Sequence, residues 1–280
     1  MSEAVREVVM MAKFSYIVVE RPESFGSFEA FAAALRRIKE LGFDGVEINL
    51  TGPTGYQMDN VARLVEYIDL PIVSFMTGAN YFSEGLCLSS PRAEVRKKAV
   101  ERLQAYTEIA ARFGAVIVLG QMQGFPTDEP DRTVGEARIE ESLKPVVESA
   151  ERHGTTIAFE PVNHLQAGFH PTLADVMGLA DRLGSPRLRP MLDSFHMNIE
   201  EKSMLEPIHR VGRDLAHFHL CESNGSFLGT GHLDIKAILK ALDQAGYAGC
   251  VSVKAYRHPW SVGAPATMRF LRELQHGSRA

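Results

Sequence analysis

The sequence predicts an α/β fold, a single (β/α)8 barrel, on three observations. Eight short apolar, β-branched runs recur along the 280 residues at the spacing of βα units. Helical patterns lie between them. The strand runs are apolar throughout, as Val116-Ile117-Val118-Leu119 is, which marks strands covered on both faces in a parallel sheet.

The strands are expected at 14–19, 45–48, 72–75, 116–119, 156–159, 189–192, 215–220 and 250–253. After the first, Phe28–Leu41 reads as a helix with Ser27 as its N-cap and Gly42 as its terminator. In the segment 91–113, Val95, Ala99 and Leu103 fall four apart, and Tyr106, Ala110 and Phe113 continue the apolar face. Ser90 is its expected cap, Pro91 its first helical residue and Gly114 its end. No Pro/Ser-rich linker divides the chain, so 1–280 is expected to be one domain, with 1–12 as an N-terminal extension. An open doubly wound sheet is the competing arrangement, but no GxGxxG follows the first strand.

Composition narrows the function classes. Hydrophobic residues make up 45% and charged residues 23%, as in an ordinary packed globular chain. The net charge of −5 supplies no basic surface for nucleic acid. No stretch approaches the ~20 apolar residues of a membrane span. The start, Met-Ser-Glu, lacks the basic residues and long apolar run of a secretory signal, so the cytoplasm is the expected location. Cys87, Cys221 and Cys250 form neither an even framework nor a CxxC pair.

In a parallel barrel, chemistry belongs where the strands end. The fifth strand runs into Glu160, the sixth into Asp193, the seventh reaches His219 and the eighth Lys254. Four consecutive strands thus deliver an ionisable group to one level. Two carboxylates and an imidazole suit Mn²⁺, Mg²⁺, Co²⁺ or Zn²⁺, with positions left for substrate oxygens. Such an ion stabilises enediolate charge. A structural ion-pair network at the barrel mouth is the plain alternative. His196, three residues after Asp193, is placed to bind a substrate hydroxyl, and His164, four after Glu160, to carry a proton. His217 shares the inward face with His219 one layer deeper, where a buried hydrogen-bonded role is expected. Glu47, ending the second strand, and Glu222, three beyond His219, join His196 as the expected substrate-binding set. Gly229-Thr230-Gly231-His232 is a turn with weak phosphate-cradle character.

The segments Gly42-Phe43-Asp44-Gly45-Val46-Glu47, Phe159-Glu160-Pro161, Leu192-Asp193-Ser194-Phe195-His196-Met197-Asn198-Ile199-Glu200-Glu201, His217-Phe218-His219 and Gly229-Thr230-Gly231-His232 resemble the xylose-isomerase-like TIM-barrel superfamily. Within it, the similarity is to sugar phosphate isomerase/epimerase proteins, including ketose 3-epimerases. The resemblance covers nearly the whole chain, and the Asp193–Glu201 stretch is its most specific part. It implies a divalent ion, most often Mn²⁺, held by Glu160, Asp193 and His219. It implies a proton removed beside a carbonyl through a cis-enediolate and returned on the other face or the neighbouring carbon, with His196 on a substrate oxygen.

Two positions depart from the pattern. The fourth ligand, a Glu in the family, falls at Lys254, whose ammonium has no lone pair for a metal. Three-residue ligation with Lys254 as acid/base or oxyanion donor is one reading; a catalytically idle barrel is the other. The substrate-contacting Arg six residues past the metal His falls at Gly225. These changes turn the expectation from free-ketose epimerisation toward an oxidised sugar or glycoside: epimerisation beside a keto group, or elimination β to it in a C-glycoside-cleaving subunit. The expected partners are a small carbohydrate and further copies of the chain, with a second small subunit in the glycoside-cleaving case. A multi-zinc DNA-repair endonuclease of the same superfamily fits neither the negative charge nor the early-strand histidine content.

Overall fold

In the computed structural model, which describes residues 12–52 and 58–276, the apolar runs become nine parallel strand segments of one sheet. They are β1 Phe14–Val18, β2 Gly45–Asn49, β3 Ile72–Met76, β4 Val116–Leu119, β5 Ile157–Phe159, β6 Leu188–Pro190, β7 Leu192–Asp193, β8 Phe218–Leu220 and β9 Val251–Val253. The order β6-β5-β4-β3-β2-β1-β9-β8-β7 leaves β6 and β7 at its ends. These are consecutive pieces of chain, so the sheet curls into a barrel. The run expected at 189–192 is interrupted at Met191, just after Pro190, which has no N–H for the ladder. Met191 N donates to the Phe159 carbonyl (3.1 Å), and Leu192 N to that of His217 (3.3 Å). The chain thus passes from β5 to β8 within one barrel strand, and nine segments fill eight barrel positions. Residues 1–11 of the expected extension lie outside the described residues.

Ten α-helices occur among the described residues: α1 Phe28–Leu41, α2 Met58–Tyr67, α3 Ala79–Glu84, α4 Ala93–Phe113, α5 Arg132–His153, α6 Leu173–Leu183, α7 Ser194–Glu200, α8 Glu206–Val211, α9 Ile235–Gln244 and α10 Trp260–His276. The Ser27 hydroxyl caps α1 by accepting from Ala30 N (3.1 Å), and Gly42 ends it at φ 98°. Gly114 ends α4 in the same left-handed way. At the start of α4 the expectation fails by two residues. The helix begins at Ala93, Pro91 precedes it, and the Ser90 hydroxyl accepts from Arg92 N in the approach turn. None of the described helices is long and apolar enough to cross a membrane.

The apolar core lies between strands and helices, where Val18, Ile48, Phe75, Ile117, Leu119 and Phe159 bury against residues such as Phe31, Leu35, Leu103 and Tyr106. Each contributes about 1.5–3 kcal/mol of burial. Inside the barrel the apolar content is small, a cluster of Val118, Ala158 and Met191. Most of the interior is polar: Ser15, Glu47, Ser74, His217, His219 and Ser252 are all buried. Register places Glu47 beside Ser74, and His219 between Asp193 and Ser252.

Candidate active site

Period-two alternation turns Glu160, Asp193, His219 and Lys254 into the barrel mouth, and all four are buried. His219 Nδ1 stands 3.4 Å from Glu160 Oε1 and 3.5 Å from Asp193 Oδ2. Donors bound at about 2.0–2.2 Å to one ion stand roughly this far apart. Glu160 Oε1 and His219 Nδ1 are buried with no hydrogen-bond partner among the described residues. Two orphaned acceptors facing a carboxylate fit a divalent cation, which would satisfy both. Glu160 Oε2 occupies space that only glycine leaves open, since a Cβ on Gly120 would fall 2.2 Å from it.

Hydrogen bonds beneath the site decide which histidine offers a lone pair. Glu47 accepts from Nε2 of both His217 (2.8 Å) and His219 (3.1 Å), and from the Ser74 hydroxyl (2.5 Å). His219 therefore carries hydrogen on Nε2 and presents Nδ1 upward. The opposite holds for His196. The Asn163 amide oxygen takes Leu165 N (3.1 Å), so its NH2 donates to His196 Nδ1 (2.6 Å). His196 then carries hydrogen on Nε2, which lies 3.8 Å from Glu160 Oε1 and has no hydrogen-bond partner. Although Glu160, Asp193 and His196 also cluster tightly enough to suggest metal ligation, a ring that presents N–H offers no lone pair there for an ion.

Burial opposes charge on every one of these carboxylates, and the neighbours reverse it. His219 and His217 hold Glu47 well below the usual carboxylate range. A protonated His219 ring, with His196 and Lys254, lowers Glu160, and Lys254, His196 and that ring lower Asp193; a cation at His219 Nδ1 would take the place of the ring proton. Lys254 lies 3.5 Å from Asp193 Oδ2 and 4.1 Å from the ring centre of Tyr256, whose hydroxyl donates to the same Oδ2 (3.1 Å). Burial alone lowers Lys254, but Cys221, Asp193 and Glu160 outweigh it and keep the ammonium charged. A cavity of about 360 Å³ opens onto Glu160, His219, Lys254 and Tyr256. That is the lower end of the small-ligand range (~300–1,000 Å³).

The structure thus brings together Glu160, Asp193, His219, His196 and Lys254. Three other expected residues go elsewhere. Glu47 lies one layer down, fully buried under His219, and does not face the cavity. Glu222 is also fully buried, and its carboxylate accepts from the backbone N–H of Ser223 (2.8 Å), Gly229 (3.0 Å) and Leu233 (3.3 Å). It fills the Gly229–His232 turn from inside, so that turn has no room left to cradle a phosphate. His164 is turned outward, its side chain 62% exposed, with Nδ1 2.6 Å from Glu200.

Asn163, Tyr256, Gly120, Gln123 and His170 join the site without a sequence expectation for them. Gln123 donates to the Glu160 carbonyl (2.9 Å) and accepts from His170 Nδ1 (3.2 Å), tying the end of β5 to a buried histidine. Their signal in sequence is faint: two glutamines and two glycines in Gly120-Gln121-Met122-Gln123-Gly124, with no periodicity. Burial pushes His170 down to about 4 from its ordinary 6.5, against the pull of Glu136 and Asp175. A histidine depressed in the fold binds its proton first when unfolded, so its stabilisation is present above pH 6.5 and is lost as pH falls toward 4. Urea denaturation at pH 7.5 and pH 4 should show the native protein losing about 3 kcal/mol more than a His170→Asn variant. Equal losses would remove His170 as the cause.

A family model described as xylose isomerase-like TIM barrel matches residues 35–274. Among curated relatives, the chain is 28% identical to a ketose 3-epimerase of Arthrobacter globiformis over 247 residues, covering 87% of this chain and 83% of that protein. It is 27% identical to a 3-dehydro-D-guloside 4-epimerase of Escherichia coli K12 over 220 residues, covering 77% and 83%. Among solved structures, an L-ribulose 3-epimerase superposes with a TM-score of 0.81 at 22% identity, covering 96% of each chain. A 3-keto-D-glucoside 4-epimerase from E. coli gives 0.79 at 23%, covering 93% of this chain and 99% of that one. At these identities the superpositions speak for the fold.

Proposed function

The chain belongs to the xylose isomerase-like TIM barrel family, and from that premise we propose that it is a metal-dependent isomerase or epimerase of a keto-sugar, acting on the C–H bond beside the carbonyl. The observation that carries this reading is the pair of orphaned acceptors, Glu160 Oε1 and His219 Nδ1, facing Asp193 at the barrel mouth. The sugar-epimerase relatives support the substrate class. Glu160, Asp193 and His219 would hold the ion, Mn²⁺ foremost, with Mg²⁺, Co²⁺ or Zn²⁺ as alternatives. When bound, it supplies polarisation of the substrate carbonyl.

The remaining work falls to this chain's side chains. His196 donates from Nε2 to a substrate hydroxyl and fixes the sugar's orientation. Glu160, kept ionised by its neighbours, is the base that takes the proton from carbon. The family resemblance implies a second carboxylate base at the fourth position. Here Lys254 stands there, as an acid. Its ammonium donates to the developing oxyanion and returns a proton to the opposite face, after which Glu160 and Lys254 exchange protons with solvent to reset. A charged acid at this place also favours a second reading, elimination of a leaving group β to the carbonyl, with Lys254 protonating what leaves. His164, paired to Glu200, is given no reacting atom.

The test is solvent exchange. The Mn²⁺-loaded protein, incubated in D2O with a panel of free and glycosidic keto-sugars, should place deuterium on the carbon beside the carbonyl. His164→Ala should leave the exchange rate within about threefold, whereas Lys254→Met should cut it by about 10²–10⁴. No exchange with any sugar, together with no retained ion, would end the proposal. Product identity separates epimer from eliminated aglycone.

A further inference from the structure

The charges at the mouth are segregated by strand. Glu160 follows β5 and lines the cavity, and Asp193 ends β7, the two sharing His219 Nδ1 as a neighbour. Lys254 follows β9, and Arg21 follows β1, its hydrogen-bonded neighbour; both line the same cavity. Lys254 is only 6% exposed. Its ammonium has the Asp193 ion pair and the Tyr256 ring, yet makes no hydrogen bond among the described residues. With only that one carboxylate beside it, the ammonium at the cavity wall has donor capacity left for an acceptor within the cavity. The Arg21 guanidinium is exposed and has neither hydrogen bond nor ion pair among the described residues. Where the family resemblance implies a glutamate, this chain has a lysine, a change of two charge units at the wall facing the two carboxylates.

We infer that the substrate is an acidic keto-sugar whose carboxylate is held by Arg21 on the β1–β9 side, while its carbonyl end faces Glu160. This deepens the proposed function and rests on it. A neutral sugar leaves Arg21 idle and gives the Lys254 wall only hydroxyls; a carboxylate matches the planar guanidinium in a bidentate pair. A phosphate is the other anion that such a wall could attract. The carboxylate is favoured because its planar pair of oxygens matches the guanidinium fork, and because the glycine turn after β8, which the sequence singles out for weak phosphate-cradle character, is already filled by Glu222. The cavity of about 360 Å³ also suits a single six-carbon sugar acid better than a larger ligand.

The experiment compares unreactive rings by calorimetric titration at low ionic strength: D-glucuronate, D-glucose and D-glucose 6-phosphate, against metal-free and Mn²⁺-loaded protein. Glucuronate should bind at least about tenfold more tightly than glucose to the loaded protein, and the advantage should shrink with added salt. Arg21→Gln should lower glucuronate affinity by about 10- to 100-fold and leave glucose affinity unchanged. Equal binding of glucuronate and glucose overturns the inference, as does tighter binding of the phosphate, or failure of all three rings to bind. Each of these leaves the deuterium-exchange result on neutral keto-sugars standing, so the two readings fail separately. An Arg21→Gln variant that weakens glucose equally would show loop damage and also count against the assignment; an unchanged melting temperature guards against misfolding.

Discussion

Replacing Glu160 with Gln is expected to cost at least about 10³-fold in exchange rate and to strip the protein of its bound ion. The amide keeps the shape of the side chain but removes its negative charge, and with it the basicity proposed for Glu160 and the charge that would hold a cation beside His219 Nδ1. Folding should not suffer, because a buried carboxylate disappears while the Glu160 carbonyl still receives Gln123. Elemental analysis, exchange in D2O and a melting curve on the same preparation check all three statements. A variant that keeps its ion and exchanges within about tenfold of the native protein would leave the site without its mechanism. Gly120→Ala attacks the same carboxylate from below. Its methyl would lie 2.2 Å from Oε2 and 3.3 Å from the carboxyl carbon, so Glu160 must swing away. A displacement on the order of 1 Å at a reacting group costs about 10²-fold.

Glu47→Ala is expected to be the most destabilising single change at the site, by about 3–5 kcal/mol out of a typical total of ~5–15. The carboxylate is fully buried and accepts from two imidazoles and Ser74. Its removal strands those donors in the barrel interior, where His217 is also within reach of Ser252 (3.0 Å) and Ser252 of Ser15 (2.6 Å). Glu47→Gln retains one acceptor and should lose less stability. It should still weaken ion retention about 10- to 100-fold, because His219 is no longer fixed with Nδ1 toward Glu160 and Asp193. Chemical denaturation of the alanine variant and Mn²⁺ titration of the glutamine variant measure these separately. A loss under about 1 kcal/mol would mean that the interior hydrogen bonds rearrange freely.

Much of this protein was legible in one dimension because its signals are local and periodic. The strand runs, the Ser27 and Gly42 caps and the termination at Gly114 follow from backbone propensities within a few residues. The residues Glu160, Asp193, His219 and Lys254 are readable because parallel strands of a barrel end at one face, so sequence position becomes height. The break at Met191 was hidden, since it arises from which neighbouring strand the chain pairs with. The roles of Glu47, Glu222 and His164 were also hidden. Each is a polar residue near a strand end, and a side chain's partner there depends on residues tens to hundreds of positions away.

By itself the sequence determined the βα repeat, the level at which the ionisable groups emerge and the lysine that stands where a fourth carboxylate is expected. Only the tertiary structure decided which nitrogen of His219 and of His196 faces the cavity, because a tautomer is set by hydrogen bonds to Glu47 and Asn163 that close across the barrel. It also decided that Glu222 serves its own loop, since three backbone N–H groups converge on that carboxylate once the chain has turned.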